Sequence, residues 1–148
     1  MKAVIQRVNS ASVTINEDVK SEISTGLLIL LGIEIEDTQD DSLWLANKIA
    51  QLRIFADEEG VMNKSITQIA AEAIVVSQFT LHAKTKKGNR PSYIKSAQPQ
   101  QAISLYKSFK EDLSIAIGKE VQSGVFGANM KVSLINDGPV TIIIDTKN

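Results

Sequence analysis

"GLLILLGIEI", residues 26–35, is apolar at every position except Glu34. A strand with one wet face alternates apolar and polar residues, whereas an unbroken apolar run of this length suits a strand buried on both faces. Upstream, residues 2–15 are rich in Val, Ile, Ser and Thr. A polar turn at Asn16, Glu17 and Asp18 and the short segment "VKSEIS" follow, the signature of a β-hairpin. Downstream, "DTQDD" offers Asp37 or Thr38 as a helix N-cap with acidic residues in the first turn. Leu45, Ile49 and Leu52 then recur at helical spacing, so a helix is expected over residues 40 to about 55, closed by the loop "ADEEG". "AIVVSQFTL", residues 73–81, reads as the next strand, and "HAKTKKGNRPSY" as a loop. Pro99 opens a second helix with an apolar stripe of Ala102, Leu105, Phe109, Leu113 and Ala116, and Gly118 stops it. Strands around "EVQSGVF", "MKVSLI" and "VTIIID" finish the chain. The expected fold is a single α+β domain over residues 1–148: a mixed, mostly antiparallel sheet curled barrel-like, with two main helices.

The composition excludes several function classes. The chain has 148 residues, 43% hydrophobic and 22% charged, and its net charge of −1 provides no overall basic field for wrapping nucleic acid. A local patch that grips one RNA end is compatible with that balance. The absence of cysteine removes disulfides, thiolate nucleophiles and cysteine metal sites. No cofactor is expected: no His/Asp/Glu cluster has metal-ligand spacing, and "GLLILLG" lacks the glycine pattern of a dinucleotide site. The opening residues have no signal-peptide run, and no segment approaches the ~20 apolar residues of a membrane span, so a cytoplasmic protein without membrane attachment is expected.

Five features bear on possible chemistry. "SQFTL" ends an apolar strand with Ser77, Gln78 and Thr80 around Phe79; as a strand, it would put Ser77 and Phe79 on one face and Gln78 and Thr80 on the other. A hydroxyl, an amide and an aromatic ring suit a sugar and a base, although a strand fraying into a turn has the same pattern. The lone histidine, His82, reads as a half-exposed residue at the strand end. "KTKKGNR" gathers Lys84, Lys86, Lys87 and Arg90, either a solvated loop or a patch for a few phosphates. Arg7 sits among apolar neighbours with no acid nearby in sequence, so backbone carbonyls from elsewhere would suit its five donors unless it reaches solvent. Finally, "NDGPVT", residues 136–141, lies between two predicted strands and reads locally as a turn. A Gly-Pro step can also display rigid carbonyls that hold a protonated amine and test chirality.

Read together, "SQFTL" and "NDGPVT" change the picture. The chain resembles the D-aminoacyl-tRNA deacylases end to end, through "MKAVIQRV", "LRIFADEEGVMN", "VVSQFTL", "KGNRPSY" and "GVFGANMKVSLINDGPVT". The resemblance implies hydrolysis of the ester that joins a D-amino acid, or glycine mischarged on tRNA(Ala), to the terminal adenosine of tRNA. It implies a homodimer with sites at the interface and a cis Gly138–Pro139 bond reaching into the partner's site, where its carbonyls hold the amino group and exclude L-substrates. Arg7 would brace that motif. Ser77, Gln78, Phe79 and Thr80 would line the pocket beside the ester, and Phe126 and Met130 would wall the adenosine. A non-catalytic RNA-binding module and a hydrolase of some other acyl ester are the competing readings.

Overall fold

The computed structural model describes residues 1–148. Its organising element is β1 (Lys2–Ile15), which is flanked along both edges. On one edge its first half pairs antiparallel with β3 (Gly26–Gly32) and its second half with β2 (Asp18–Ile23); on the other it pairs antiparallel with the last strand, β8 (Lys131–Asp145). Beyond β3 the sheet continues in parallel through β6 (Glu72–Ser77) to the short β7 (Gln122–Ser123). The result is a mixed, nearly closed barrel-like sheet with two helices, α1 (Gln39–Ala50) and α2 (Pro99–Ile117).

The opening stretch now has its physical reason. Alternate residues of β3 enter two separate cores. Leu27, Ile29 and Leu31 join the main cluster with both helices, whereas Leu28 packs with Val8, Val13, Ile74 and Val76 inside the curl of the sheet. Both faces are apolar and all but Leu30 of the strand is buried, so neither parity favours a polar side chain. The strand stops at Gly32, short of Ile35: Ile33 is still buried in the main core, but Glu34 makes only an isolated bridge to Ser96.

Three further expectations are corrected. Helix α1 ends at Ala50, because the chain turns extended and Phe55 and Ala56 (β4) pair with Met62–Lys64 (β5) in a small hairpin. The Asp57 carboxylate builds that hairpin's tip by accepting the N–H groups of Glu59 and Val61, both at 2.9 Å. Residues 136–141 do not separate two strands. They lie within β8, which runs through them to Asp145. The strand "EVQSGVF" shrinks to Gln122 and Ser123. The helix ends were legible: the Asp41 carboxylate accepts both the N–H (2.8 Å) and the hydroxyl (2.9 Å) of Thr38, and α2 starts on Pro99 and stops at Gly118 with φ +67°.

Candidate active site

Strand β6 ends at Ser77, not at Leu81. The Gln78 N–H still donates to the Leu31 carbonyl at 2.8 Å, and residues Phe79–His82 then wind into a 3-10 turn. The predicted alternation of "SQFTL" is therefore broken. A glycine at the end of β3 permits this: a Cβ on Gly32 would lie 2.9 Å from the Gln78 carbonyl oxygen and 3.0 Å from the Leu81 Cβ. The turn presses directly on the strand backbone.

At this point, beyond the C-terminal ends of parallel β3 and β6, lies a cavity of about 510 Å³. Such strand ends are where α/β sheets commonly bind ligands. Ser77, Gln78 and Phe79 line it on one side; Phe126, Asn129 and Met130, from the loop before β8, line it on the other. Thus five of the residues picked from the sequence converge here. Thr80 is not in the wall, but its hydroxyl accepts a short hydrogen bond from the Gln78 amide. Apolar wall residues Leu30, Val76, Ala97 and Ala102 carry no sequence signal beyond their hydrophobicity, and Ser96 carries none at all. Its hydroxyl donates to the Phe79 carbonyl at 3.1 Å and ties the turn to the approach to α2.

The wall is braced from behind. Tyr106 of α2 is buried, donates to the Val75 carbonyl at 2.8 Å and meets the Phe126 ring edge-on at 5.7 Å. Burial pushes its phenol up to about 12, only partly countered by Ser123, so it remains a neutral donor. Met130 lies over Gly124, where a Cβ would come within 2.3 Å of its sulfur.

His82 is not half-exposed. It is 5% exposed, its Nδ1 stands 4.0 Å from a carboxylate oxygen of the buried Glu34, its Nε2 has no partner, and it does not line the cavity. Winding into the 3-10 turn carries it inward instead of leaving it at a strand end.

Arg7, Gly138 and Pro139 form a second group, outside this cavity. Gln6 pairs with Thr141 and Val8 with Asn136, so residues 137–140 all bulge out opposite Arg7. The Gly138–Pro139 peptide is cis, and both residues are exposed at the surface. Arg7 pins the bulge: its Nε donates to the Asp137 carbonyl at 3.1 Å and its Nη1 to the Ile54 carbonyl at 2.6 Å. The expected partners of Arg7 were backbone carbonyls, and two of them are there, with the Asp137 carboxylate at 3.2 Å as a third. Gly138 has φ +123°, and a Cβ there would sit 3.1 Å from Arg7 Nη2.

Fold and site together define a single α+β domain with a preformed cleft at its strand ends and a rigid backbone bulge displayed apart from it. The chain belongs to the D-Tyr-tRNA(Tyr) deacylase family, whose model matches residues 4–145. It is 63% identical to a D-aminoacyl-tRNA deacylase of Flavobacterium psychrophilum and 60% identical to one of Parabacteroides distasonis, covering 100% of this chain and 99% of each relative. Among solved structures it is similar to the c-Myc DNA Unwinding Element Binding Protein, with TM-score 0.93, 43% identity and 98% of each chain covered. It also shares the fold of a probable eukaryotic D-amino acid tRNA deacylase, with TM-score 0.82, 15% identity and 97% of each chain covered.

Proposed function

We propose that this protein hydrolyses the ester of D-aminoacyl-tRNA, and of glycine mischarged on tRNA(Ala), releasing the free amino acid and tRNA. The reading rests on family membership over residues 4–145 and on one observation: the residues that suit an adenosine and its ester converge on one cleft, while the surface bulge at Gly138–Pro139 stands apart from it. A bulge that cannot serve its own cleft is suited to serve a partner's. The working unit in this reading is a homodimer with its sites at the interface, acting in the cytoplasm, where aminoacyl-tRNA is made.

The terminal adenosine would lie between Phe79 and the wall of Phe126 and Met130, with Ser77 and Gln78 beside the ester. The amino group would meet the carbonyls of the partner subunit's Gly138 and Pro139, which an L-side chain would strike. The ester is already activated by its ribose, so positioning and charge stabilisation suffice. Water adds to the carbonyl carbon, and the amides of Phe79 and Thr80 face the developing oxyanion; they open a helical turn, where the first N–H groups have no intrahelical acceptor. The tetrahedral intermediate then collapses, the ribose oxygen leaves with a proton, and D-amino acid and tRNA result. Thr80 has no base to activate it: His82 is buried away from the cleft, and the Thr80 hydroxyl already accepts the Gln78 amide.

Release of D-tyrosine from D-tyrosyl-tRNA, with L-tyrosyl-tRNA spared by the same preparation, tests the reading. A non-catalytic nucleic-acid-binding reading draws on the name of one similar structure; it predicts binding without turnover.

A further inference from the structure

Charge is unevenly divided along this chain. Residues 73–110 contain seven Lys or Arg and no Asp or Glu, whereas the rest of the chain has nine Lys or Arg against 17 acids. Five of those nine are in ion pairs (Lys2, Arg7, Lys20, Lys64 and Lys147). None of the seven is. Within this segment no acidic side chain offsets the seven cations, a clustering that favours a polyanionic partner.

The fold sets the centre of this segment at the rim of the cleft. Lys84 and Ser92 exchange two backbone hydrogen bonds, at 2.8 and 3.0 Å, and so close the base of an arm that presents Lys84, Lys86, Lys87 and Arg90, all exposed. Directly beyond the arm, the Tyr93 ring meets the cleft residue Phe79 edge-on at 5.0 Å, and Lys95 precedes Ser96, which holds the Phe79 carbonyl. A base stacked on Phe79, which is 55% exposed, would therefore have its neighbouring phosphodiesters beside these cations.

We propose that the Lys84–Arg90 arm, with Lys95, is the docking surface for the phosphodiesters next to the 3′ end of the RNA whose terminal nucleoside enters the cleft. The inference rests on the deacylase reading for the identity of that RNA. The arm supplies sequence-independent affinity and delivers the end; the cleft and the bulge supply chemistry and chirality. It also reconciles an acidic protein with a nucleic-acid substrate, because the net charge of −1 averages a cationic rim with an anionic remainder.

The test uses the full chain carrying Lys84→Gln, Lys86→Gln, Lys87→Gln and Arg90→Gln together. All four positions are exposed and outside any core, so folding is not at issue. Two substrates are compared: D-tyrosyl-tRNA and the phosphate-free ester 3′-D-tyrosyl-adenosine. The expected result is a fall on the order of tenfold or more in the ratio of kcat/KM on tRNA to kcat/KM on the nucleoside ester. The salt dependence on tRNA should flatten by roughly 0.7–0.9 in log–log slope for each phosphate that the variant no longer neutralises. Restoring charge with Arg at the four positions should restore both. An unmoved ratio overturns the proposal, including the case in which both substrates slow equally. If the wild type deacylates neither, the deacylase reading fails and the arm is judged by fluorescence anisotropy on an uncharged CCA-ended RNA minihelix. Weaker binding by the Gln variant than by the wild type upholds the arm; equal binding, or equal wild-type affinity for a blunt DNA duplex, overturns it.

Discussion

Arg7 joins two carbonyls that lie 47 and 130 residues away in sequence, and so couples the end of α1's connection to the bulge in β8. Replacing it with Ala leaves both carbonyls without their charged donor inside a partly buried site. A loss of about 2 kcal/mol in denaturant stability is expected, together with a disproportionate loss of D-deacylation because the bulge is no longer fixed. Arg7→Lys should restore neither fully, since an ammonium lacks the fork that spans two acceptors. Thr80 makes the opposite prediction. If water is the nucleophile, Thr80→Val retains measurable deacylation; abolished turnover with intact folding and binding, or a trapped acyl-enzyme, would assign attack to the hydroxyl. At this scale the sequence was informative where a residue's needs were unmet locally. Arg7 had no acid nearby, which pointed to carbonyls, but nothing in the sequence said which ones. His82 misled because its burial depends on where the turn begins, and that in turn depends on the close approach at Gly32.

At the scale of elements, the ends of strands and helices were legible wherever a cap or a proline enforced them and obscure wherever tertiary pairing did. Pro99 and Gly118 bounded α2. The apparent turn at residues 136–141 was hidden inside a continuous strand, because only its partner β1 makes the bulge visible as four residues facing one. The start of α1 offers a quantitative check. Partial burial pushes the Asp41 carboxyl up, but hydrogen bonds from Lys147 and from the Thr38 N–H and hydroxyl outweigh it and hold the group well below the usual carboxylate range. A depressed carboxylate stabilises the fold fully at pH values above its unfolded pKa, ~3.9. That contribution disappears as pH falls below it towards the folded value. Asp41→Asn should therefore cost about 1 kcal/mol at neutral pH, and the difference from wild type should shrink on acidification through that range, as read by denaturant melts at neutral pH and in acid below the unfolded pKa.

For the whole molecule, fold class could be anticipated from the pattern of one chain, whereas separate places for the cleft and for the Gly138–Pro139 bulge were expected only through the family resemblance. Both lie on the same sheet, yet Gly138 and Pro139 sit at the surface and are absent from the wall formed by Ser77, Gln78, Phe79, Phe126 and Met130. Long strand β8 also leaves Ile135 and Ile143 60% and 67% exposed, apolar surface that association would bury. Sedimentation at micromolar concentration should therefore give a dimer, and a fully active monomer would remove the cross-subunit account. No helix is long and apolar enough to cross a membrane. The central claim is stereochemical, and one measurement addresses it most directly: the ratio of deacylation rates on D- and L-tyrosyl-tRNA with a single preparation of the wild-type chain. The account predicts rapid release of D-tyrosine and L-tyrosyl-tRNA decaying no faster than it does without protein; hydrolysis of both at comparable rates, or of neither, would contradict it.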